Sequence, residues 1–141
     1  MKTIKQISLF SENKPGRLLK VADVLGKKNI SIRAFTIAES GDFGIIRLVV
    51  DKPDVAYDVL KQEGFTVSET DVLGIEIDDI PGSLKETAEL FAEGQINIDY
   101  AYAFISRNQK AVLVARVTDL EKALLFLKTK GITLLEINDL I

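Results

Sequence analysis

The chain has 141 residues, 47% hydrophobic and 28% charged, with a formal net charge of −3 and neither histidine nor cysteine. These absences exclude disulfides, thiolate metal sites, thiol nucleophiles and histidine-based catalytic triads. The acidic balance, with a pI near 5.1, argues against a nucleic-acid backbone as partner.

Met1-Lys2-Thr3-Ile4-Lys5-Gln6 lacks the apolar stretch of a signal peptide, and no run approaches the roughly 20 apolar residues of a membrane span. A cytoplasmic protein with no membrane partner is therefore expected.

In chain order, Ile4 to Phe10 alternates as a strand does, and Ser11-Glu12-Asn13-Lys14 is a polar turn. Pro15 suits the first position of a helix, where its missing N–H costs nothing. Leu18, Val21, Ala22 and Leu25 fall at helical spacing and predict one apolar stripe. Gly26-Lys27-Lys28-Asn29 is expected to stop that helix, with Gly26 at its C-terminal end. Ile30 to Ala38 and Phe43 to Val50 are predicted strands around the Glu39-Ser40-Gly41-Asp42 turn. Pro53-Asp54 opens a second helix carrying Ala56, Val59 and Leu60; Gly64 ends it, and Phe65 to Val72 is a fourth strand.

The same order of features then returns. Pro15-Gly16 recurs as Pro81-Gly82, 81 − 15 = 66 positions later, and that offset pairs Leu18 with Leu84, Ala22 with Ala88 and Leu25 with Phe91. It also pairs Ile30-Ser31-Ile32 with Ile96-Asn97-Ile98. Such self-similarity between unlike residue types marks a duplication. In the second copy, Leu73 to Ile77 is the first strand, and Leu84, Ala88 and Phe91 are the expected inner face of the helix. Ile96 to Ile105 and Lys110 to Val117 form a hairpin, Leu120, Ala123, Leu124 and Leu127 mark the last helix, and Ile132 to Ile137 is the final strand.

The expected fold class is α+β: two ferredoxin-like βαββαβ modules, residues 1–71 and 72–141, each an antiparallel four-stranded sheet with both helices on one face. No Gly/Ser or Pro-rich linker separates them, so an edge-to-edge join is expected. Several strands are apolar on both faces, which predicts that the open face of each sheet is covered, by another sheet or a partner. Tyr100 and Tyr102 are read as core residues.

Chemistry concentrates at the turn before each Pro-Gly. A helix N-terminus presents unpaired N–H groups and a positive dipole end, which a carboxylate can accept from. Gly16 and Gly82 have no Cβ, so a ligand can approach the backbone. Asp79 could meet a ligand ammonium, and Asn13 could offer its side-chain oxygen. The competing reading is that Asn13 and Asp79 simply cap the helices.

The pattern Asn13-Lys14-Pro15-Gly16-Arg17-Leu18 with Asn29-Ile30-Ser31-Ile32, and Asp79-Ile80-Pro81-Gly82-Ser83-Leu84 with Gln95-Ile96-Asn97-Ile98, resembles the ACT domain family, twice and over nearly the whole chain. Members of that family are regulatory modules of amino-acid metabolism that commonly bind amino acids between two modules, without catalysis. The resemblance implies that Asn13, Lys14, Gly16, Arg17 and Leu18 work with Asn97, Ile98 and Asp99. In the mirror arrangement, Asp79, Gly82, Ser83 and Leu84 work with Ser31, Ile32 and Arg33. Arg17 and Arg33 stand where the second copy has Ser83 and Asp99, so the copies are not equivalent.

The expected protein is a free-standing sensor with a free amino acid as effector and no cofactor or metal, acting as a homodimer through sheet faces or edges. An alternative is a regulatory subunit of an amino-acid biosynthetic enzyme such as acetolactate synthase. Acylphosphatase-like catalysis would need a glycine-rich basic loop, and RNA binding a basic aromatic surface; neither pattern is present.

Overall fold

A computed structural model describes residues 2–141. The elements in chain order are β1 (Ile4–Glu12), α1 (Arg17–Lys27), β2 (Ile32–Ser40), β3 (Phe43–Val50), α2 (Pro53–Gln62) and β4 (Thr66–Asp78). They continue as α3 (Ser83–Glu93), β5 (Ile98–Ile105), β6 (Lys110–Val117), α4 (Leu120–Thr129) and a 3-10 turn at Ile137–Leu140. The chain divides into two compact units: Lys5–Thr70 with Ile137–Ile141, and residues 2–4 with Asp71–Glu136.

In the first unit the strand order is β2-β3-β1-β4. β3 runs antiparallel to both β1 and β2, with Leu48 opposite Ile7 and Phe35. Alternation places Ile7, Leu9, Ile46, Leu48 and Val50 on one face, where Val21, Leu25, Ala56 and Leu60 of the two helices close over them. All nine side chains are fully or almost fully buried. Burying an aliphatic side chain of this size contributes roughly 1.5–3 kcal/mol, which makes this cluster the reason the helices lie on that face.

In the second unit the order is β4-β6-β5. Leu73, Ile75, Leu113, Ala115 and Val117 pack against Phe91, Ala123, Leu124 and Leu127. On the other face of β6, Val112 and Val114 are buried as well. The half-buried Tyr100 and Tyr102 are not core residues as expected; they lie on β5, outermost in its unit.

Four further features differ from the sequence reading. The strands expected at Phe65–Val72 and Leu73–Ile77 are a single 13-residue strand, β4, because no Pro or Asn breaks it and Gly74 is packed within the extended run. The expected last strand, Ile132–Ile137, does not form. Only Leu134 bridges Ile75, through Glu76 N–H to Thr133 O (3.2 Å) and Leu135 N–H to Gly74 O (2.8 Å). Asn138-Asp139 then favours local turn structure, and the chain closes as a 3-10 turn with Leu140 buried.

Helix α1 ends at Lys27, within the Gly26–Asn29 segment expected to stop it, but the left-handed residue of that segment is Asn29, φ 57°, rather than Gly26. Ile30 N–H bonds to Leu25 O and Asn29 N–H to Gly26 O, both at 3.0 Å. The second copy repeats this with Gln95, φ 53°, so the Asn/Gln before each Ile-x-Ile is the residue that takes the left-handed terminator.

The inner face of α3 is Ser83, Thr87 and Phe91, not Leu84, Ala88 and Phe91. Leu84 is 60% exposed, and Ala88 is exposed too. The corresponding inner positions of α1 are Arg17, Val21 and Leu25. An i, i+4, i+8 row therefore decides burial in both copies, and Ala22 is exposed for the same reason. Thr87 satisfies its buried hydroxyl by donating to Ser83 O at 3.2 Å.

Candidate ligand site

Each Pro-Gly turn is fastened to the tip of its own hairpin. Asn13 N–H donates to Asp42 O at 2.7 Å, and Asp79 N–H to Gln109 O at 2.8 Å. The Asn13 side-chain amide also donates to Gly41 O at 3.4 Å. These bonds hold the turn while the chain reverses into the helix. Gly16 (φ 89°) and Gly82 (φ 94°) are the residues at the helix N-caps, and no side chain caps either first turn. The capping role considered for Asn13 and Asp79 is thus not the one they play. A Cβ at Gly16 or Gly82 would meet no protein atom within 4 Å. The glycines are required by the positive φ, and the space beside them is open.

A cavity of about 400 Å³ lies at the first turn, lined by Lys14, Gly16, Arg17 and Lys20 among polar groups and by Phe10, Phe43 and Phe65. Phe10 and Phe43 are 59% and 58% exposed. Lys14 pairs with Glu12 at 3.5 Å on an open surface, an interaction of small energetic weight. Lys20 lies over the Phe65 ring at 5.2 Å. Arg17 is half-buried, and its Nη1 is sealed from solvent without a hydrogen-bond acceptor. That nitrogen and the backbone Ala38 O each lie 2.8 Å from where a Cβ on Gly44 would stand, so Gly44 leaves room for the neighbouring strand and the guanidinium together. The second copy has Ser83 and Ala111 at the corresponding places: a small side chain over alanine replaces a large one over glycine.

The second turn adjoins a cavity of about 500 Å³ of different character, lined by Asp78, Asp79, Ser83 and apolar groups including Ile80, Leu84, Tyr102 and Phe104. Lys110 bonds to Asp78 across the strand pair. That hydrogen bond, and secondarily the Asp78 charge, raises the Lys110 pKa. Among the described residues no cluster of three or more His, Cys, Asp or Glu is placed to hold a metal ion, and no helix is long and apolar enough to cross a membrane.

Of the residues expected at the sites, Lys14, Gly16 and Arg17 line the first cavity, while Asn13 and Leu18 do not. Asp79, Ser83 and Leu84 line the second, and Gly82 stands beside it in the turn. The strand starts lie elsewhere. Ser31 exchanges bonds with Asp51, N–H to Oδ1 at 2.9 Å and O from Asp51 N–H at 3.1 Å. Asn97, Asp99 and Thr118 form a side-chain triangle of 2.8–3.2 Å. Ile32 pairs with Val50 at one end of β2, and Ser40 with Phe43 at the other, beside the turn. At about 3.3 Å per residue, Ser31, Ile32 and Arg33 stand some 25 Å from the Pro-Gly turn of their own unit. Asn97, Ile98 and Asp99 hold the same position on β5.

Lys20, Phe10, Phe43, Phe65 and Gly44 were not anticipated. The signal for Lys20 is its spacing, three residues beyond Arg17 on the same helix face.

A family model described as an ACT domain pair matches residues 2–141. The chain belongs to the ACT domain pair family. No curated protein matches it at significance. Among solved structures, protein BT0572 from Bacteroides thetaiotaomicron is 42% identical, with TM-score 0.91 over 98% of this chain and 95% of that one. The regulatory subunit of aspartate kinase from Thermus thermophilus, in ligand-free form, has TM-score 0.64 at 17% identity, covering 91% of this chain and 90% of that one. The corresponding subunit from Thermus flavus has TM-score 0.59 at 17% identity, covering 89% and 90%. The Thermus pair shares the fold of this ACT domain pair.

Proposed function

We propose that this ACT domain pair is a free-standing regulatory sensor that binds an amino acid at its Pro-Gly turns and carries out no catalysis. The observation that carries the reading is the pair of uncapped helix starts. Both α1 and α3 begin at a left-handed glycine without a side-chain acceptor, with open space in front and a cavity alongside. A ligand carboxylate would accept from the first-turn amides, except that at α3 the Ser83 N–H already donates to Ile80 O at 3.3 Å. The side-chain oxygen of Asn13 and the carboxylate of Asp79 are the proposed acceptors for a ligand ammonium. Ser31, Ile32, Arg33, Asn97, Ile98 and Asp99 lie too far along their strands to share a ligand with their own turn, and in this proposal they meet a turn of a second copy of the chain. Association as a homodimer is supported by exposed apolar groups on the outermost strands, Phe35 (50% exposed) on β2 and Ile105 (75%) on β5. Binding would alter a partner's activity only through unequal affinity for its two states. The same apolar groups suit docking on a biosynthetic enzyme such as acetolactate synthase. Co-purification from cells distinguishes that role from the free-standing one.

The test is a thermal-shift panel of the twenty amino acids. A ligand present at about 100 times its Kd stabilises by about 2.7 kcal/mol. Gly16→Ala and Gly82→Ala put a methyl group into the open space, touching no protein atom. At least one is expected to abolish the shift while the unliganded protein still melts cooperatively. A panel without any response, or a response that survives both substitutions, overturns the proposal.

A further inference from the structure

We propose that the cavity at the first Pro-Gly turn selects an amino acid with an acidic side chain, of the aspartate or glutamate class, and that the second turn does not. This rests on the amino-acid reading above and names the ligand class of one of its sites. The first observation is Arg17. Its guanidinium lies over Gly44 with Nη1 buried and without an acceptor. A buried cationic donor left unmatched costs free energy unless an anion arrives beside it.

The second observation is the charge of the lining. The charged residues lining the first cavity, Glu12, Lys14, Arg17 and Lys20, sum to −1 + 3 = +2, and those lining the second, Asp78 and Asp79, sum to −2. A zwitterion is neutral overall and leaves the first surplus in place; a dicarboxylic amino acid carries −1 and draws on it. The third observation is placement. Lys20 is three residues beyond Arg17, and side chains so spaced on a helix are about 5–6 Å apart at Cβ. That suits two carboxylates of one small molecule: one at Arg17 and the glycine amides, the other at Lys20. Glu12, which lines the cavity and pairs with Lys14, adds a carboxylate near the acceptor proposed on Asn13 for the ammonium. Phe10, Phe43 and Phe65 give the methylene groups of such a ligand apolar surface to cover.

The test uses the full-length protein and four probes, L-glutamate, L-aspartate, L-glutamine and L-asparagine, titrated by thermal shift and calorimetry. An acidic amino acid is expected to bind at least about tenfold more tightly than its amide, with affinity falling as salt rises. Arg17→Gln is expected to remove that preference. Lys20→Gln is expected to weaken the acidic ligand, with only the small change in unliganded Tm that losing its contact with the Phe65 ring brings. If a neutral amino acid binds equally well through a site that Gly16→Ala disables, the sensor reading stands and this inference falls. It falls as well if the acidic preference survives both Arg17→Gln and Lys20→Gln. If none of the twenty amino acids binds, both are overturned together.

Discussion

Gly74 lies mid-strand in β4 with an ordinary negative φ, where alanine would usually be preferred over glycine by roughly 0.5–1 kcal/mol. The packing around it predicts the opposite. A Cβ there would stand 2.3 Å from Ile4 Cδ1, 3.2 Å from Ile4 Cγ1 and 3.5 Å from Leu135 Cβ. Ile4 is fully buried and Leu135 is 7% exposed, so neither side chain can turn into solvent to relieve the contact. Overpacking of this kind costs about 1–3 kcal/mol, more than the backbone gain. Gly74→Ala should therefore lower Tm by about 2–4 °C for each kcal/mol at this chain length. Ile4→Val removes the offending Cδ1 at a cost of about 0.5–1.5 kcal/mol by itself. The double variant should then recover about 1 kcal/mol relative to the sum of the singles. Circular dichroism melts of the four proteins measure the cycle. A rise in Tm for Gly74→Ala, or strict additivity of the pair, would refute the packing argument.

Other substitutions probe the remaining elements. Leu25→Ala and Leu127→Ala each empty a fully buried position of one core, and each should cost about 2–5 kcal/mol by chemical denaturation. Gln95→Gly relieves a left-handed residue that bears a side chain and should stabilise by roughly 0.5–1 kcal/mol; an unchanged melting curve would contradict that backbone assignment. Asp119→Ala removes the acceptor of Lys122 N–H (3.2 Å) at the start of α4 and should cost about 1 kcal/mol.

The duplicated order of elements was legible because it rests on periodicity and on residues with backbone roles: Pro15-Gly16 and Pro81-Gly82, the alternating strands, the helical rows. The errors arose where one local pattern serves two structures. Ile132–Ile137 is rich in β-formers, yet a strand also needs a partner along its length, and among the described residues of β4 only Gly74 and Glu76 exchange backbone bonds with it. Gly26 looked like a helix terminator, but an αL residue can be Asn, and Asn29 stood three positions on. Leu84 and Ala88 looked like an inner face because they are apolar. The true row holds Ser83 and Thr87, whose polarity hides their burial. The site was legible in part for a related reason: the turn glycines announce themselves, but aromatic residues contributed by two strands come together only through pairing register.

The comparison of the two copies shows which parts of the turn are constrained by the fold and which are free to vary with a ligand. Both copies keep the left-handed glycine, the bond from the turn to the hairpin tip, and the αL residue that ends the helix. These hold the backbone and would be needed whatever is bound. What differs is the pair at the innermost position of the first helical turn and the strand residue beneath it: Arg17 over Gly44, Ser83 where the partner is Ala111. At Gly44 the main chain takes part in the choice, since a Cβ there would stand 2.8 Å from Ala38 O as well as from the guanidinium. The size of one member compensates for the other, so the guanidinium is accommodated rather than merely tolerated. Gly44→Ala tests this directly. The added methyl would meet Nη1 and Ala38 O, both at 2.8 Å, and should push Arg17 outward, costing about 1–3 kcal/mol. Acidic-ligand affinity should fall in the same variant, whereas the mirror exchange Ala111→Gly at the second cavity should leave it unaltered. Equal losses from both would show that the strand residue governs stability alone.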